Sequence, residues 1–288
     1  MALSAWFEDA FLKTADALFR RWPQPLPDPD QLRRCRLISH RGEHDNRAVV
    51  ENSVPAFEAA AAGEVWGIEF DLRWTSDLRP VVFHDRDTRR LFGSPGVIRE
   101  MNFGELRASY PLIPSLEEVV ERFGKHLHLM IEVKQEPYPD PVRQNRVLAG
   151  ILKQLRPVVD YHLISLTPHM FDRFDFVPAD VFLPIAELHV NRFSELALRK
   201  GYGGLLGHYL LVTRRISQKH RDRSQRIGTG FADSRNCLLR EINRAVDWIF
   251  SNRAVAMQAV IDALLQDKTP AGASRDDGNP VDRTVKNG

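Results

Sequence analysis

Strand and helix patterns alternate along most of this 288-residue chain, starting at about residue 36. Short apolar runs such as RLISH are followed by helical stretches such as ENSVPAFEAAAAG, in which Asn52 or Ser53 can cap the helix and Gly63 can end it. Repeated strand–helix units indicate parallel strands that are joined by right-handed crossovers. The pattern therefore predicts an α/β protein with a (β/α)8 TIM barrel.

Eight segments are strand candidates, and a ninth, GGLLGHYLLV, is either an extra strand or a loop across the barrel mouth. The eight candidates, in chain order, are RLISH, VWGIEFDLRW, PVVFHD, LHLMIEVK, YHLISL, VFLPIA, QRIGTGF and VDWIFSN. A doubly wound open sheet is the structural alternative, but no glycine-rich nucleotide-binding fingerprint follows the first strand. We therefore favour the barrel, and we assign it to residues 31–266.

Residues 1–30 precede the barrel and contain a predicted amphipathic helix and a proline-rich linker. Leu3, Phe7 and Phe11 share one face of this helix, and the stretch PQPLPDPD stops it. We expect the helix to pack on the barrel, because its polar face mixes acids with bases. Weak contact of residues 1–22 with a membrane surface is the alternative. The polar tail, residues 267–288, is predicted to be disordered.

Composition excludes several other classes of protein. The net charge of +2 is too small to indicate binding to nucleic acid. The two cysteines, Cys35 and Cys237, match neither a disulfide framework nor a zinc spacing. The N-terminal stretch lacks the pattern of a secretory signal, and no apolar run is long enough to span a membrane. We therefore expect a cytoplasmic protein, whose oligomeric state the sequence does not indicate.

The second strand candidate, VWGIEFDLRW, carries two acidic side chains on one face. Glu69 and Asp71 alternate with apolar residues, and residues two apart on a strand point the same way. If the apolar set faces the outer helices, both carboxylates point into the barrel near its C-terminal mouth. The alternative is an edge strand with its polar face in water. Adjacent carboxylates repel each other, and a hard cation relieves that repulsion.

The candidate LHLMIEVK repeats this pattern with Glu132 and Lys134. Three carboxylates on strands that lie near each other match the oxygen ligands that Mg²⁺ or Ca²⁺ prefers. Lys134 is placed to reach an anionic group bound to such a cation. The alternative, a solvated Glu–Lys pair, fits poorly because the rest of this run is too apolar for a surface strand.

Histidines end two other strand candidates, since His40 closes RLISH and His84 closes PVVFHD. A single histidine at a strand end is more often a packing or capping residue than a catalytic one. Two histidines at the ends of strands that flank the carboxylates instead indicate an acid/base pair. Arg41 adds a planar set of donors suited to phosphate, and Gly42 permits a sharp turn of the backbone.

Several of these segments together resemble the signature blocks of the glycerophosphodiester phosphodiesterase family. The blocks are HRG…ENSVPAF, GIEFDLRWTSDLRPVVFHD, IPSLEEVV and IEVK, and their order and spacing agree with the family from about residue 36 to 134. The resemblance implies a TIM-barrel phosphoric diester hydrolase that binds one divalent cation. Its small-molecule substrate would be a glycerophosphodiester, which it would hydrolyse to sn-glycerol 3-phosphate and an alcohol.

The resemblance also implies a role for each candidate residue. Three residues would be metal ligands, two would form the acid/base pair and two would contact the phosphate. They are Glu69, Asp71 and Glu132 for the metal, His40 and His84 for acid–base catalysis, and Arg41 and Lys134 for the substrate. Which histidine is the acid, and whether the cation is Mg²⁺ or Ca²⁺, stays open.

The chain departs from the family pattern in its later strands. Asn252 stands where an aspartate is usual, Leu166 stands where a phenylalanine is common, and Gly228–Gly230 occupies the region of a typical tryptophan, with Phe231 the nearest aromatic residue. These departures concern substrate choice. Two alternative functions are a lysophospholipase D-type enzyme acting on lipids at a membrane surface and a non-catalytic glycerophosphate-binding protein. The latter would be expected to lose a ligand or a histidine, and none is lost here.

Overall fold

The computed structural model describes Ala17 and residues 19–267. Most of the predicted N-terminal helix, and the tail that follows Asp267, lie outside the described residues. None of the described helices combines the length and the hydropathy that a membrane-spanning segment requires.

Nine strands form one sheet, in which eight parallel strands close into a barrel. Around the barrel the order is β1-β2-β4-β5-β6-β7-β8-β9, and β9 pairs with β1. The strands are β1 Leu37–His40, β2 Gly67–Trp74, β3 Pro80–Val82, β4 His128–Val133, β5 Tyr161–Ser165, β6 Phe182–Ala186, β7 Gly204–His208, β8 Arg226–Gly230 and β9 Trp248–Ser251. The predicted TIM barrel is confirmed.

One strand assignment was wrong. The segment PVVFHD is not a barrel strand, because β3 ends at Val82 and pairs antiparallel with the C-terminal half of β2. Its place in the barrel belongs to β7, within the stretch GGLLGHYLLV that the sequence left undecided between a strand and a loop. A three-residue apolar run does not encode strand direction, so periodicity alone cannot separate a parallel barrel strand from the returning arm of a hairpin.

The helices surround the barrel and connect its strands. They are α1 Pro29–Arg34, α2 Val54–Ala62, α3 Arg89–Phe92, α4 Phe103–Ser109, α5 Leu116–Phe123, α6 Pro141–Leu152, α7 Val190–Lys200, α8 Arg214–Arg221, α9 Arg235–Asn243 and α10 Ala254–Asp267. α5 begins with a capping box, since Ser115 and Glu118 each accept a hydrogen bond from the other's backbone. Between β5 and β6 the chain instead forms the 3-10 helices Pro168–Arg173 and Ala179–Val181.

Apolar side chains fill both the barrel interior and the layer between strands and helices. The interior contains Ile38, Met130, Leu183 and Trp248, which are fully buried. A larger layer packs the outer faces of β2, β4 and β5 against α2, α5 and α6. Full burial of one such aliphatic side chain stabilises the fold by about 1.5–3 kcal/mol, so the barrel is a rigid frame for the residues at its mouth.

The described end of the N-terminal segment contacts the barrel. The ring of Phe19 meets that of Tyr209 edge-on, with centroids 5.9 Å apart, and the Arg240 guanidinium lies 4.8 Å from the Phe19 centroid. The Asn236 side chain donates a hydrogen bond of 2.8 Å to the carbonyl of Arg20. The packing of the helix that precedes these residues stays a prediction.

A buried histidine pair closes the N-terminal end of the barrel. His128 Nε2 lies 2.8 Å from His162 Nδ1, and the two rings pack against Trp66 and Trp248. Burial lowers the pKa of His128 to about 4. Burial, followed by the charge of His128, lowers the pKa of His162 well below its usual value. Both histidines are therefore neutral in the folded protein.

This pair predicts a loss of stability in acid. The unfolded chain protonates both histidines near pH 6.5. In the folded chain His128 resists protonation until the pH approaches 4, and the pKa of His162 is also well below its usual value. Stability from the pair is complete above about pH 6.5, and each histidine lowers the free energy of unfolding by up to about 1.4 kcal/mol per pH unit below that. Urea unfolding at pH 7.5 and pH 5 measures the effect.

A His162→Leu variant should show a shallower pH dependence, whereas His169→Gln, a change at an exposed site, should behave as the wild type. The comparison between variants isolates the histidine pair from the other titrating groups of the protein. Equal slopes in the wild type and His162→Leu would contradict the assignment.

Candidate active site

The strand register brings the predicted site residues to one level at the C-terminal mouth of the barrel. His40 of β1 pairs with Glu69 of β2, and Asp71 of β2 pairs with Glu132 of β4. Adjacent strands thus deliver these side chains to a cavity of about 560 Å³. Six of the seven predicted residues line the cavity, namely His40, Arg41, Glu69, His84, Glu132 and Lys134.

The three carboxylates form one buried group. Glu69, Asp71 and Glu132 each offer an oxygen within 4.8 Å of the others, and the three residues are between 0% and 7% exposed. Burial, and next the charge of Asp71, raises the pKa of Glu69 well above its usual value and that of Glu132 to about 7. The three carboxylates therefore repel one another when they are ionised, and a bound cation would relieve that repulsion.

Asp71 is the carboxylate that stays ionised. Burial alone would raise its pKa, but Lys134 and Arg41 outweigh burial and lower it. Lys134 Nζ lies 2.7 Å from both Asp71 Oδ1 and Glu132 Oε1. Arg41 Nε lies 3.3 Å from Asp71 Oδ2, and Arg41 Nη1 lies 2.9 Å from Glu51 Oε1. Both predicted phosphate contacts thus also balance the charge of buried carboxylates.

The turn after β1 holds Arg41 in place. Arg41 and Gly42 both have positive φ angles, 58° and 79°. A Cβ atom at Gly42 would lie 2.8 Å from the backbone of Ala56 at the start of α2, so only glycine fits there. The Arg41 amide donates to the Glu69 carbonyl at 2.9 Å, which ties the turn to the neighbouring strand.

Sequence reasoning did not assign Asn52 and Glu51 to the site. Ser53, not Asn52, caps α2, because its hydroxyl accepts the amide hydrogen of Ala56. Asn52 instead donates to Asp71 Oδ2 at 2.7 Å and accepts from the Asp71 amide at 3.3 Å. A polar residue before a helix is usually a cap, so its alternative role was visible only from the tertiary contact.

His40 is oriented by a second network that sequence reasoning did not find. Asn252 Nδ2 donates to Asp233 Oδ2 at 2.8 Å, so Asn252 Oδ1 faces His40 Nδ1 at 2.7 Å. An amide oxygen only accepts, and Nδ1 of His40 therefore carries the proton. The lone pair of neutral His40 is then on Nε2, which lies 3.7 Å from Glu69 Oε2. Burial and the charge of Arg41 lower the pKa of His40 to about 4.

His84 reaches the cavity although it does not end a barrel strand. After β3 the chain is held by Arg73, whose Nε and Nη2 atoms donate to the His84 carbonyl at 2.9 and 2.6 Å. His84 Nδ1 lies 2.7 Å from Asp85 Oδ1, and Arg90 in turn contacts Asp85 at 2.5 Å. Burial lowers the pKa of His84, while the charge of Asp71 and the hydrogen bond with Asp85 oppose that effect.

The two histidines thus differ in their partners. Each has its proton on Nδ1 when neutral, but His84 contacts a carboxylate and His40 contacts a neutral amide. An adjacent carboxylate stabilises the imidazolium ion, whereas an amide does so weakly. At a given pH His84 is therefore protonated to a greater extent than His40, which suits a proton donor, and His40 is more often neutral, which suits a proton acceptor.

The acidic group fits a hard divalent cation. All three donors are carboxylate oxygens, which Mg²⁺ and Ca²⁺ prefer, and thiolate or imidazole donors, which favour transition metals, are not part of the group. The shared mouth also offers open volume for further oxygen ligands. Glu69, Asp71 and Glu132 are thus a candidate metal centre.

Fold and site together define a TIM-barrel protein with three carboxylates and two histidines, His40 and His84, at its C-terminal mouth. Residues 40–165 match the model of the Glycerophosphoryl diester phosphodiesterase family. The resemblance found in the sequence motifs is therefore confirmed over that part of the chain. The matched region contains every residue that the sequence predicted for the site.

Curated relatives support the same family. A glycerophosphodiester phosphodiesterase of Bacillus subtilis is 27% identical over 147 residues, which cover 44% of this chain and 48% of the relative. The enzyme of that name from Caldanaerobacter subterraneus is 34% identical over 111 residues, 34% of this chain and 44% of the relative. Glycerophosphodiester phosphodiesterase 1 of Bos taurus is 31% identical over 134 residues, 41% of this chain and 39% of the relative. The chain spans about half or less of these relatives.

Solved structures share the fold over most of this chain. A phosphodiesterase from Oleispira antarctica, determined with the product sn-glycerol-3-phosphate, has a TM-score of 0.67 at 19% identity, covering 82% of this chain and 97% of its own. A glycerophosphodiester phosphodiesterase from Thermotoga maritima has a TM-score of 0.65 at 20% identity, covering 78% of this chain and 98% of its own. At such identities the likeness establishes the fold.

Proposed function

We propose that the protein is a metal-dependent glycerophosphodiester phosphodiesterase. It hydrolyses a glycerophosphodiester to sn-glycerol 3-phosphate and an alcohol. The observation that carries the proposal is the meeting of three carboxylates, two histidines and two cationic side chains at one cavity within the residues that match the family. Hydrolysis of a phosphodiester requires that the charge on the phosphate oxygens is neutralised and that protons are transferred to and from groups close to the phosphate. This arrangement offers both.

Glu69, Asp71 and Glu132 would hold the cation. When bound, a divalent cation supplies Lewis-acid stabilisation of the negative charge on phosphoryl oxygens. Arg41 and Lys134 line the same cavity and present cationic groups to the non-bridging oxygens of the diester. Their pairing with Asp71 fixes both groups before substrate binds, so little reorganisation accompanies the reaction.

His40 acts as the general base and His84 as the general acid. The Nε2 lone pair of His40 takes a proton from the nucleophile, which is water or the glycerol hydroxyl next to the phosphate. Attack by water gives sn-glycerol 3-phosphate directly, whereas attack by the hydroxyl gives a cyclic phosphate that water opens in a second step. His84, in its protonated imidazolium form, gives the proton of its Nε2 to the oxygen of the departing alcohol and returns to the neutral form with its proton on Nδ1. The neutral partner of His40 and the carboxylate partner of His84 support this order of roles.

The proposal is tested by assaying the purified protein against a panel of glycerophosphodiesters. The panel comprises choline, ethanolamine and glycerol esters, each with Mg²⁺ or Ca²⁺, and release of sn-glycerol 3-phosphate is measured enzymatically. We expect release from at least one ester with at least one cation. A protein that binds these esters in a titration but releases no product would be a glycerophosphate-binding protein instead.

A carboxylate exchange tests the role of the network behind His40. In the double variant Asn252→Asp/Asp233→Asn the carboxylate lies next to His40, while one acid and one amide are kept. The imidazolium ion gains a charged partner, so the pKa of His40 rises and the base is neutral only at higher pH. We expect the acidic limb of the kcat/KM profile to move up by about 1–3 pH units.

The single variant Asp233→Asn is the matched control, because it removes the remote carboxylate without adding one beside His40. Its acidic limb should not move upward. If the double variant also keeps the acidic limb of the wild type, His40 is not the group whose protonation limits the rate.

A further inference from the structure

The cavity at the barrel mouth has two chemically distinct halves. The half formed by β1, β2, β4 and the His84 segment contains the charged and titratable residues described above. The opposite half is formed by the ends of β5 to β9 and is lined largely by hydrocarbon. Its principal side chains are Leu166, Ile185, Leu188, Leu206, Leu211 and Phe231.

Three of these large apolar side chains stay open at the mouth. Leu188 is 53% exposed, Leu166 is 38% exposed and Phe231 is 37% exposed. Single exposed apolar residues are common, but these three line the same cavity. Apolar patches that continue into a cavity typically bind an apolar ligand.

The polar groups in the apolar half do not suit a charged alcohol. His208 Nδ1 accepts the amide hydrogen of Leu210, its ring stacks on Tyr209, and burial lowers its pKa to about 4. Phe231 packs on the His40 ring with centroids 4.5 Å apart, so it is one aromatic face and not a cage for a quaternary ammonium group. Glu187, the carboxylate that lines this half, is exposed to solvent at the rim, where water and salt screen its attraction for a cationic alcohol.

We propose that this half of the cavity binds a hydrocarbon chain of the substrate. The preferred substrate class is then a glycerophosphodiester that carries one long alkyl or acyl chain. The inference rests on the proposed function, because the phosphate at the charged half fixes where the chain begins. The cavity of about 560 Å³ lies within the common range for small-molecule sites and exceeds the needs of the phosphate alone.

Chain length tests the proposal with substrates kept below their micelle concentrations. Three diesters are compared: glycerophosphocholine, its 1-octanoyl derivative and the octyl ester of glycerophosphate. The second carries the chain on glycerol and the third carries it on the departing alcohol, so the two arms distinguish the source of the chain. Each fully buried methylene should raise kcat/KM roughly fourfold.

The variants Leu188→Ser and Leu166→Ser remove apolar surface at partly exposed positions, where folding tolerates the change. We expect each to lower the ratio of kcat/KM for an octyl or octanoyl substrate to that for glycerophosphocholine by about fivefold or more. Glu187→Gln is the matched control, because it alters the same rim without removing hydrocarbon. It should keep the wild-type ratio.

A gain with either chain-bearing substrate supports the proposal, and equal or lower kcat/KM for both would overturn it. Failure of the proposed function looks different, since no diester would then be hydrolysed. In that event, titration calorimetry with n-octyl phosphate and with inorganic phosphate decides the matter. Binding of n-octyl phosphate at least tenfold tighter, weakened by Leu188→Ser, supports the chain site, and equal affinities would exclude it.

Discussion

Removal of divalent cations with EDTA is expected to lower glycerophosphodiester hydrolysis by about 10³-fold or more, and added Mg²⁺ or Ca²⁺ should restore it. The reason is electrostatic. Without a cation, burial and mutual repulsion hold the pKa of Glu69 high and that of Glu132 at about 7, so the centre is only partly ionised. The measurement is the initial rate against free cation concentration, together with the metal content of the purified protein.

Substitution of one ligand should give the same result without chelation. Glu69→Gln, Asp71→Asn and Glu132→Gln keep the shape of each side chain but remove the charge that a cation needs. Each variant should require far more cation for half-maximal activity. Full activity in EDTA, from protein that contains no metal, would contradict the assignment.

A buried carboxylate outside the centre provides the control. Glu241 accepts from Thr229 at 2.9 Å and pairs with Arg244 at 2.7 Å, so its replacement also disturbs a buried charge network. Glu241→Gln should lower thermal stability but leave the cation requirement unchanged. A similar rise in the cation requirement would mean that the triad variants act through general loss of structure.

The acidic centre could be predicted because its residues lie close together within single strands. Glu69 and Asp71 lie two residues apart on one strand, and the period of two places them on one face whatever the rest of the fold does. Glu132 and Lys134 repeat that spacing on β4, which pairs directly with β2. Once the strands are known to be parallel, their C-terminal ends must meet.

The residues that sequence reasoning missed act through long-range contacts. Asn252 meets His40 across 212 positions of sequence, and Asp233 reaches Asn252 only because β8 and β9 are neighbours in the closed barrel. His84 was predicted to lie at the site because it was expected to end a barrel strand, which it does not. It arrives on the returning arm of a hairpin, and the bonds from Arg73 aim that arm at the cavity.

The apolar half of the cavity gave no distinctive signal in the sequence. Ile185 and Leu206 lie within barrel strands whose other apolar residues are buried, and a run of Leu and Ile has the same pattern whether one of its members meets a helix or a cavity. Leu166 stood out only as a departure from the family pattern. In the structure Leu166 lines the same cavity as two other exposed apolar side chains, Leu188 and Phe231.

Loss of either histidine is expected to lower kcat by about 10²–10⁴-fold on a substrate with a poor leaving group. His40→Ala and His84→Ala should both keep their cation affinity, because neither residue belongs to the carboxylate group. His169→Ala changes an exposed histidine and serves as the control, with activity near that of the wild type. These measurements establish whether both side chains take part, but not which one protonates the alcohol.

A substrate that releases p-nitrophenol separates the two roles, because this leaving group departs without needing a proton. The variant that lacks the general acid should recover most of its rate on such a substrate, and the variant that lacks the base should not. The Asp85 partner of His84 makes that histidine the expected acid, so recovery should occur in His84→Ala. Recovery in His40→Ala instead would reverse the assignment, and equal losses on both substrates would mean that neither histidine protonates the leaving group.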